Sequence, residues 1–72
     1  MKITDIKDLG ELIKKRRKDL GYTQADISDY TGLSISFISD VEHGKKTVEL
    51  GKVLRLVNIL GMDCIIQVRG ES

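Results

Sequence analysis

The stretch Thr23–Gly44, TQADISDYTGLSISFISDVEHG, decides the fold. Thr23 can cap a first helix, because its hydroxyl can accept from a first-turn backbone N–H. Asp26 sits three residues on, at the reciprocal position of a capping box. Gly32 follows Tyr30 and Thr31, where that helix must stop and the chain reverse. Ser34 offers a fresh N-cap and Gly44 closes the second helix. These signals predict helices over 24–31 and 35–43 joined by a tight turn. In the first, Ala25 is small and Ile27 apolar, among polar Gln24, Asp26 and Asp29. Leu33 should plug the gap between the two. In the second, Ile38, Val41 and Glu42 fall on one side, with Ser36, Ser39, Asp40 and His43 opposite. One face is suited to packing and the other is left bare.

The flanking segments complete a helical body. Asp5 is an N-cap for a helix over about 5–20, where Ile6, Leu9, Leu12, Ile13 and Leu20 recur at helical spacing. Gly10 costs that helix roughly 1 kcal/mol relative to alanine, and Gly21 ends it. The run Lys14-Lys15-Arg16-Arg17-Lys18 winds around the cylinder at about 100° per residue, so it cannot form one basic stripe. Arg17 turns toward Ile13 and Leu20 and reads as semi-buried and paired. The other four cations form a solvated face or lie near phosphates. After the basic connection Lys45-Lys46-Thr47, Glu49 can cap a helix over about 50–60. There Leu50, Val53, Leu54, Val57 and Leu60 make an apolar stripe, and Gly61 stops it.

Beyond Gly61, Met62, Cys64, Ile66 and Val68 alternate with Asp63, Ile65, Gln67 and Arg69, a strand period over about 62–69. A lone strand leaves unpaired backbone groups. It either frays or pairs with the same strand of a second copy about a two-fold axis, its apolar face over the helices. Met62, Cys64, Ile65, Ile66 and Val68 are the residues expected at such a ribbon.

The 72 residues form one small domain, 1–72, with no internal boundary. A chain this short buries only roughly 60% of its unfolded surface. With one cysteine and no metal-spaced cluster, oligomerisation is the remaining aid, so a homodimer is expected. Cys64 reads as a small core filler and His43 as a surface residue at a helix end, with no second ligand at metal spacing. One histidine, one cysteine and scattered acids supply no nucleophile–base set, so neither an enzyme nor a cofactor is expected. No apolar run has membrane-spanning length, and Met1-Lys2-Ile3-Thr4 does not open a signal peptide, so a cytoplasmic protein without a membrane partner is expected. The net charge of +1 does not announce nucleic-acid binding, and charge pattern must carry that case. Two helices joined by a short glycine-containing turn is the helix-turn-helix arrangement, whose second helix enters a DNA major groove.

Over roughly residues 9–61 the chain resembles the Xre/Cro/C1 family of helix-turn-helix proteins, in LIKKRRKDLGYTQADI, TGLSISFISDVEHGK and LGKVLRLVNILG. The set Arg17, Thr23-Gln24, Gly32-Leu33-Ser34, Ile38, Glu42-x-Gly44 and Leu60-Gly61 carries it. The expected fold is all-α, lambda-repressor-like, with four to five short helices plus one C-terminal β-strand pairing across a homodimer. The segments ELIKKRRKDLGYTQ and GKVLRLVNILGMDCII are similar to the HipB-type antitoxins, which implies an operon repressor that also binds a HipA-like kinase toxin. The resemblance implies that Gln24 contacts a phosphate and orients readers on the second helix. It places Ile35, Ser36 and Asp40 at base-reading positions, with Ser34 and Ser39 beside them, and makes Arg17 and Glu42 a structural ion pair. Two departures stand out. Ser28 replaces a small apolar residue, and its hydroxyl needs a partner such as the carbonyl four residues back. The reading positions carry no Arg, Lys, Gln or Asn, so bidentate readout of guanine or adenine is absent from this helix.

Phosphate contacts should then supply most of the affinity for double-stranded operator DNA. The candidates are Gln24, Ser34, Lys45 and Lys46, with an ordinary surface residue as the rival reading for Gln24 and a solvated loop for the lysines. Ser36 and Ser39 discriminate bases weakly, Ile35 can touch a thymine methyl, and Asp40 can accept from a cytosine amine or remain a surface acid. Phe37 either joins Ile35 at the bases or packs inward. Few strong base contacts imply dependence on DNA shape. Two other functions fit the same residues: a free-standing phage-type or restriction-modification regulator, and a toxin-sequestering interaction module with little DNA binding.

Overall fold

A computed structural model describes residues 2–70. Its four helices are α1 (Ile6–Asp19), α2 (Gln24–Thr31), α3 (Ile35–Glu42) and α4 (Leu50–Ile59). Asp5 caps α1, its carboxylate accepting from the Asp8 N–H at 3.1 Å. At α2 both halves of the capping box form: Thr23 Oγ1 accepts from Asp26 N–H at 3.0 Å, and Asp26 accepts from Thr23 N–H at 2.8 Å. Ser34 caps α3 by accepting from Phe37 N–H at 3.0 Å. Glu49 holds the N-cap position of α4 but makes no side-chain cap bond, contrary to expectation.

The turn between α2 and α3 depends on two residues. Gly32 takes φ +77°, a left-handed backbone that a Cβ would strain. Thr31 is buried beside it; its hydroxyl donates to the Ile27 carbonyl at 2.8 Å and accepts from Leu33 N–H at 3.0 Å. That pair of bonds satisfies a polar group inside the core and fixes the angle at which α3 leaves the turn. Leu33 plugs the corner at 6% exposure, as expected.

Both α1 and α2 pack on α3, around a core of Ile13, Ile27, Leu33, Ile38, Val41, Val53, Leu56, Val57 and Leu60. Gly10 is what lets α1 approach. A Cβ there would overlap the Val41 carbonyl and come within 2.9 Å of the Glu42 carbonyl. Its helix-propensity cost is thus offset by close packing.

Two expectations about the apolar stripes need correction. Leu20 is 40% exposed. In α4, Leu50 is 66% exposed and Leu54 36%, whereas Leu56, absent from the expected stripe, is 1% exposed. Val53, Leu56, Val57 and Leu60 have the same i, i+3, i+4, i+7 spacing as Leu50, Val53, Leu54 and Val57. The helix is apolar over both arcs, so periodicity alone does not choose the one that faces the core.

The expected strand over 62–69 is not formed among the described residues, which contain helices and irregular segments only. Met62 is tied to α4 through its N–H to the Val57 carbonyl at 3.1 Å and packs against the core. Past Met62 the apolar side of the alternation does not lie on the helices. Cys64 is exposed rather than a core filler, and Ile65, Ile66 and Val68 are 73%, 93% and 68% exposed. A ladder needs a neighbouring edge, and four helices offer none. No described helix is long and apolar enough to cross a membrane.

Candidate nucleic-acid interface

Helix α3 divides cleanly around its axis. Phe37 and Glu42 are five residues apart, about 140° at 100° per residue. The arc between them holds Ile38 and Val41, both 0% exposed. The remaining arc, about 220°, carries Ile35, Ser36, Ser39, Asp40 and His43. Ile35, Ser36 and His43 are exposed, and Ser39 and Asp40 half-exposed. The expected reading residues therefore share one open surface. His43 Nδ1 lies 2.7 Å from the Ser39 carbonyl. A carbonyl only accepts, so Nδ1 carries the proton, which fixes the ring against the last turn of α3.

One edge of this surface is a buried junction. Arg17 Nε and Nη2 donate to the two Glu42 oxygens at 2.7 and 2.9 Å, and Nη1 donates to the Tyr22 carbonyl at 2.8 Å. Gln24 Nε2 donates to Glu42 Oε1 at 3.1 Å. The Arg17 and Glu42 side chains are only 9% and 1% exposed. Burial pushes the Glu42 carboxyl up, but the bonds from Arg17 and Gln24, with the charges of Arg17 and Lys14, outweigh it and hold the group below its ordinary value. The same pairing raises Arg17. Gln24 thus links the start of α2 to the end of α3 through Glu42.

The other edge is built differently. Phe37 is half-buried and packs against the core, and Lys52, in the first turn of α4, holds its ammonium 5.8 Å from the ring centroid. Lys45 reaches Asp40 at 3.4 Å in an exposed pair. Asp40 is therefore accompanied by a cation that offsets part of its negative charge. Lys46 is exposed in the same connection.

Several cations of the run at 14–18 are spent within the fold. Lys15 pairs with Asp19 at 2.6 Å, and Arg16 donates to the Leu60 carbonyl at 2.8 Å, tying α1 to the end of α4. Arg55 similarly caps α2 through the Thr31 carbonyl at 2.7 Å. Ser28 is half-buried, and no buried side-chain polar atom among the described residues lacks a partner. Lys52 and Thr31 escaped sequence reading because their roles depend on how helices meet. No local motif signals either.

Residues 13–64 match the helix-turn-helix family model. The chain belongs to the Xre-like helix-turn-helix family, a family of DNA-binding transcription regulators. It is 36% identical over 64 residues to the uncharacterized HTH-type transcriptional regulator y4mF of Sinorhizobium fredii, covering 89% of this chain and 84% of that one. It is also 31% identical over 67 residues to HTH-type transcriptional regulatory proteins of Saccharolobus islandicus and Saccharolobus solfataricus. There the match covers 93% of this chain but 22% of theirs.

Proposed function

We propose that the protein is a sequence-specific repressor that lays the open arc of α3 in a DNA major groove as a homodimer. The observation that carries this reading is the exposed arc Ile35–Ser36–Ser39–Asp40, bounded on one side by Gln24 and on the other by Lys45 and Lys52. A helix with side chains is about 10–12 Å across, and the groove is about 12 Å wide, so both edges meet a phosphate backbone. Ser34 keeps its hydroxyl proton free to donate while its oxygen caps α3. With serines and one carboxylate at the base-facing positions, the discrimination rests on weak base contacts plus DNA shape.

The second copy would cover the apolar groove of about 840 Å³ between the tail and the helices, lined by Ile3, Leu9, Leu12, Leu54, Val57 and residues 62–67. The exposure of Ile65, Ile66 and Val68 supports pairing of the two tails as a ribbon. Two half-sites about one helical turn apart would follow. Similarity to HipB-type antitoxins in the first helix and the tail supports a further step, repression of its own operon and capture of a HipA-like kinase toxin.

The test combines light scattering with a gel shift on the DNA upstream of the protein's own gene. A dimer that shifts this DNA, and an Ile66→Lys variant that is monomeric and binds far more weakly, are expected. A monomer that binds as tightly as the dimer overturns the ribbon. Failure to shift the DNA at low salt overturns the DNA reading and leaves the interaction module.

A further inference from the structure

We infer that Lys52 is a phosphate-binding residue, held in place by the Phe37 ring at the edge of α3 opposite Gln24. The inference rests on the DNA-binding reading and names a contact outside the helix-turn-helix itself. Three observations lead to it. First, Lys52 is exposed, and among the described residues no carboxylate lies within salt-bridge distance of it. Lys15, Arg16, Arg17, Lys45 and Arg55 by contrast each bond a carboxylate or a backbone carbonyl.

Second, its ammonium stands 5.8 Å from the Phe37 centroid, within reach of a cation–π attraction. Phe37 is half-buried and packed on the core, so this anchor is itself fixed. A long flexible side chain is thereby held near one position before DNA arrives, and less rotamer freedom is lost on binding.

Third, the position is the complementary one. Phe37 and Glu42 bound the exposed arc of α3, with Gln24 on Glu42 at one edge and Lys52 on Phe37 at the other. A helix seated in the groove has one strand's phosphates along each edge. The Gln24 edge offers a neutral amide. The Lys52 edge offers a full charge, whereas Lys45 is already partly neutralised by Asp40.

Binding is measured by fluorescence anisotropy between about 50 and 200 mM salt. The probes are a duplex from upstream of the protein's own gene and a scrambled duplex of equal composition. Lys52→Ala should lower affinity by the same factor on both duplexes and flatten the log–log salt slope by about 0.9 per protomer bound. Its melting temperature should stay at the wild-type value, and Lys52→Arg should restore the slope. Phe37→Leu should weaken binding in wild type but add little in the Lys52→Ala background, because the ring acts through the lysine. An unchanged slope in a folded Lys52→Ala variant overturns the inference while leaving DNA binding by α3 intact. A loss confined to the upstream duplex also overturns it, since that marks a base contact. No binding by the wild-type protein to either duplex overturns both readings.

Discussion

The two edges of α3 use charge in opposite ways. At the Glu42 edge three side chains are locked together: Arg17 is bidentate, Gln24 adds a third bond, and the ion pair is nearly sealed from water. At the Phe37 edge Lys52 rests on a ring and Lys45 on Asp40, with side-chain exposures of 56% and 40% in the latter pair. A buried, fully bonded charge is costly to orphan, whereas an exposed pair contributes little to stability. The first edge therefore fixes the angle of α3, and under the proposed function the second is the one left free to bind. Mutations at the two edges should fail differently, one by unfolding and one by weaker DNA binding in a folded protein.

The largest expected effect is at the buried edge. Glu42→Ala leaves the Arg17 guanidinium unpaired and should cost roughly 3–5 kcal/mol. A 72-residue domain has total stability on the order of 4–11 kcal/mol, so the variant should be largely unfolded near 37 °C by circular dichroism. A wild-type melting curve would erase the contrast between the edges. Gly10→Ala comes next. Its Cβ meets two carbonyls of α3, and overpacking of this kind costs about 1–3 kcal/mol. A stabilised Gly10→Ala variant would mean that α1 and α3 sit farther apart than described.

Acid sharpens the same comparison. The Glu42 carboxyl is held below its ordinary value near 4.5, so as pH falls through this region the unfolded chain takes up the proton first. The stability contributed by Glu42 is complete above pH 4.5 and is lost as pH falls through the depressed folded-state value. Urea titrations of wild type and Glu42→Gln should show a steeper acid loss in wild type; parallel curves would assign acid sensitivity elsewhere. The smallest effect belongs to the exposed edge. Lys45→Ala should change stability by less than about 1 kcal/mol, yet weaken DNA binding equally on specific and scrambled duplexes. A drop in melting temperature comparable to that of Gly10→Ala would move this residue to the structural side.

What sequence makes legible follows a similar division. The caps at Asp5, Thr23 and Ser34 and the pairing of Arg17 with Glu42 can be read because each depends on local spacing or on the family set. Which arc of α4 faces the core cannot be read, because Leu50 and Leu54 are as apolar as Leu56. Only the packing of α4 on its neighbours separates them. The tail shows a clear two-residue alternation, but a strand also needs an edge to pair with, and alternation carries no information about one. Lys52 is hidden for a third reason. It lies fifteen residues from Phe37 in sequence, and only the crossing of α3 and α4 brings the ammonium to the ring. The open arc of α3 is legible, since Ser36, Ser39 and Asp40 oppose Ile38 and Val41 on any helical projection.

The most direct test of the open face of α3 is a Ser36→Glu variant, assayed by anisotropy against the upstream duplex at about 50 mM salt, where phosphate contacts are strongest. Ser36 is exposed, so the variant should melt with the wild type while losing nearly all DNA binding, because a carboxylate at the centre of the arc meets the groove's negative potential. A folded Ser36→Glu protein that binds the duplex as tightly as wild type would show that DNA does not meet this face.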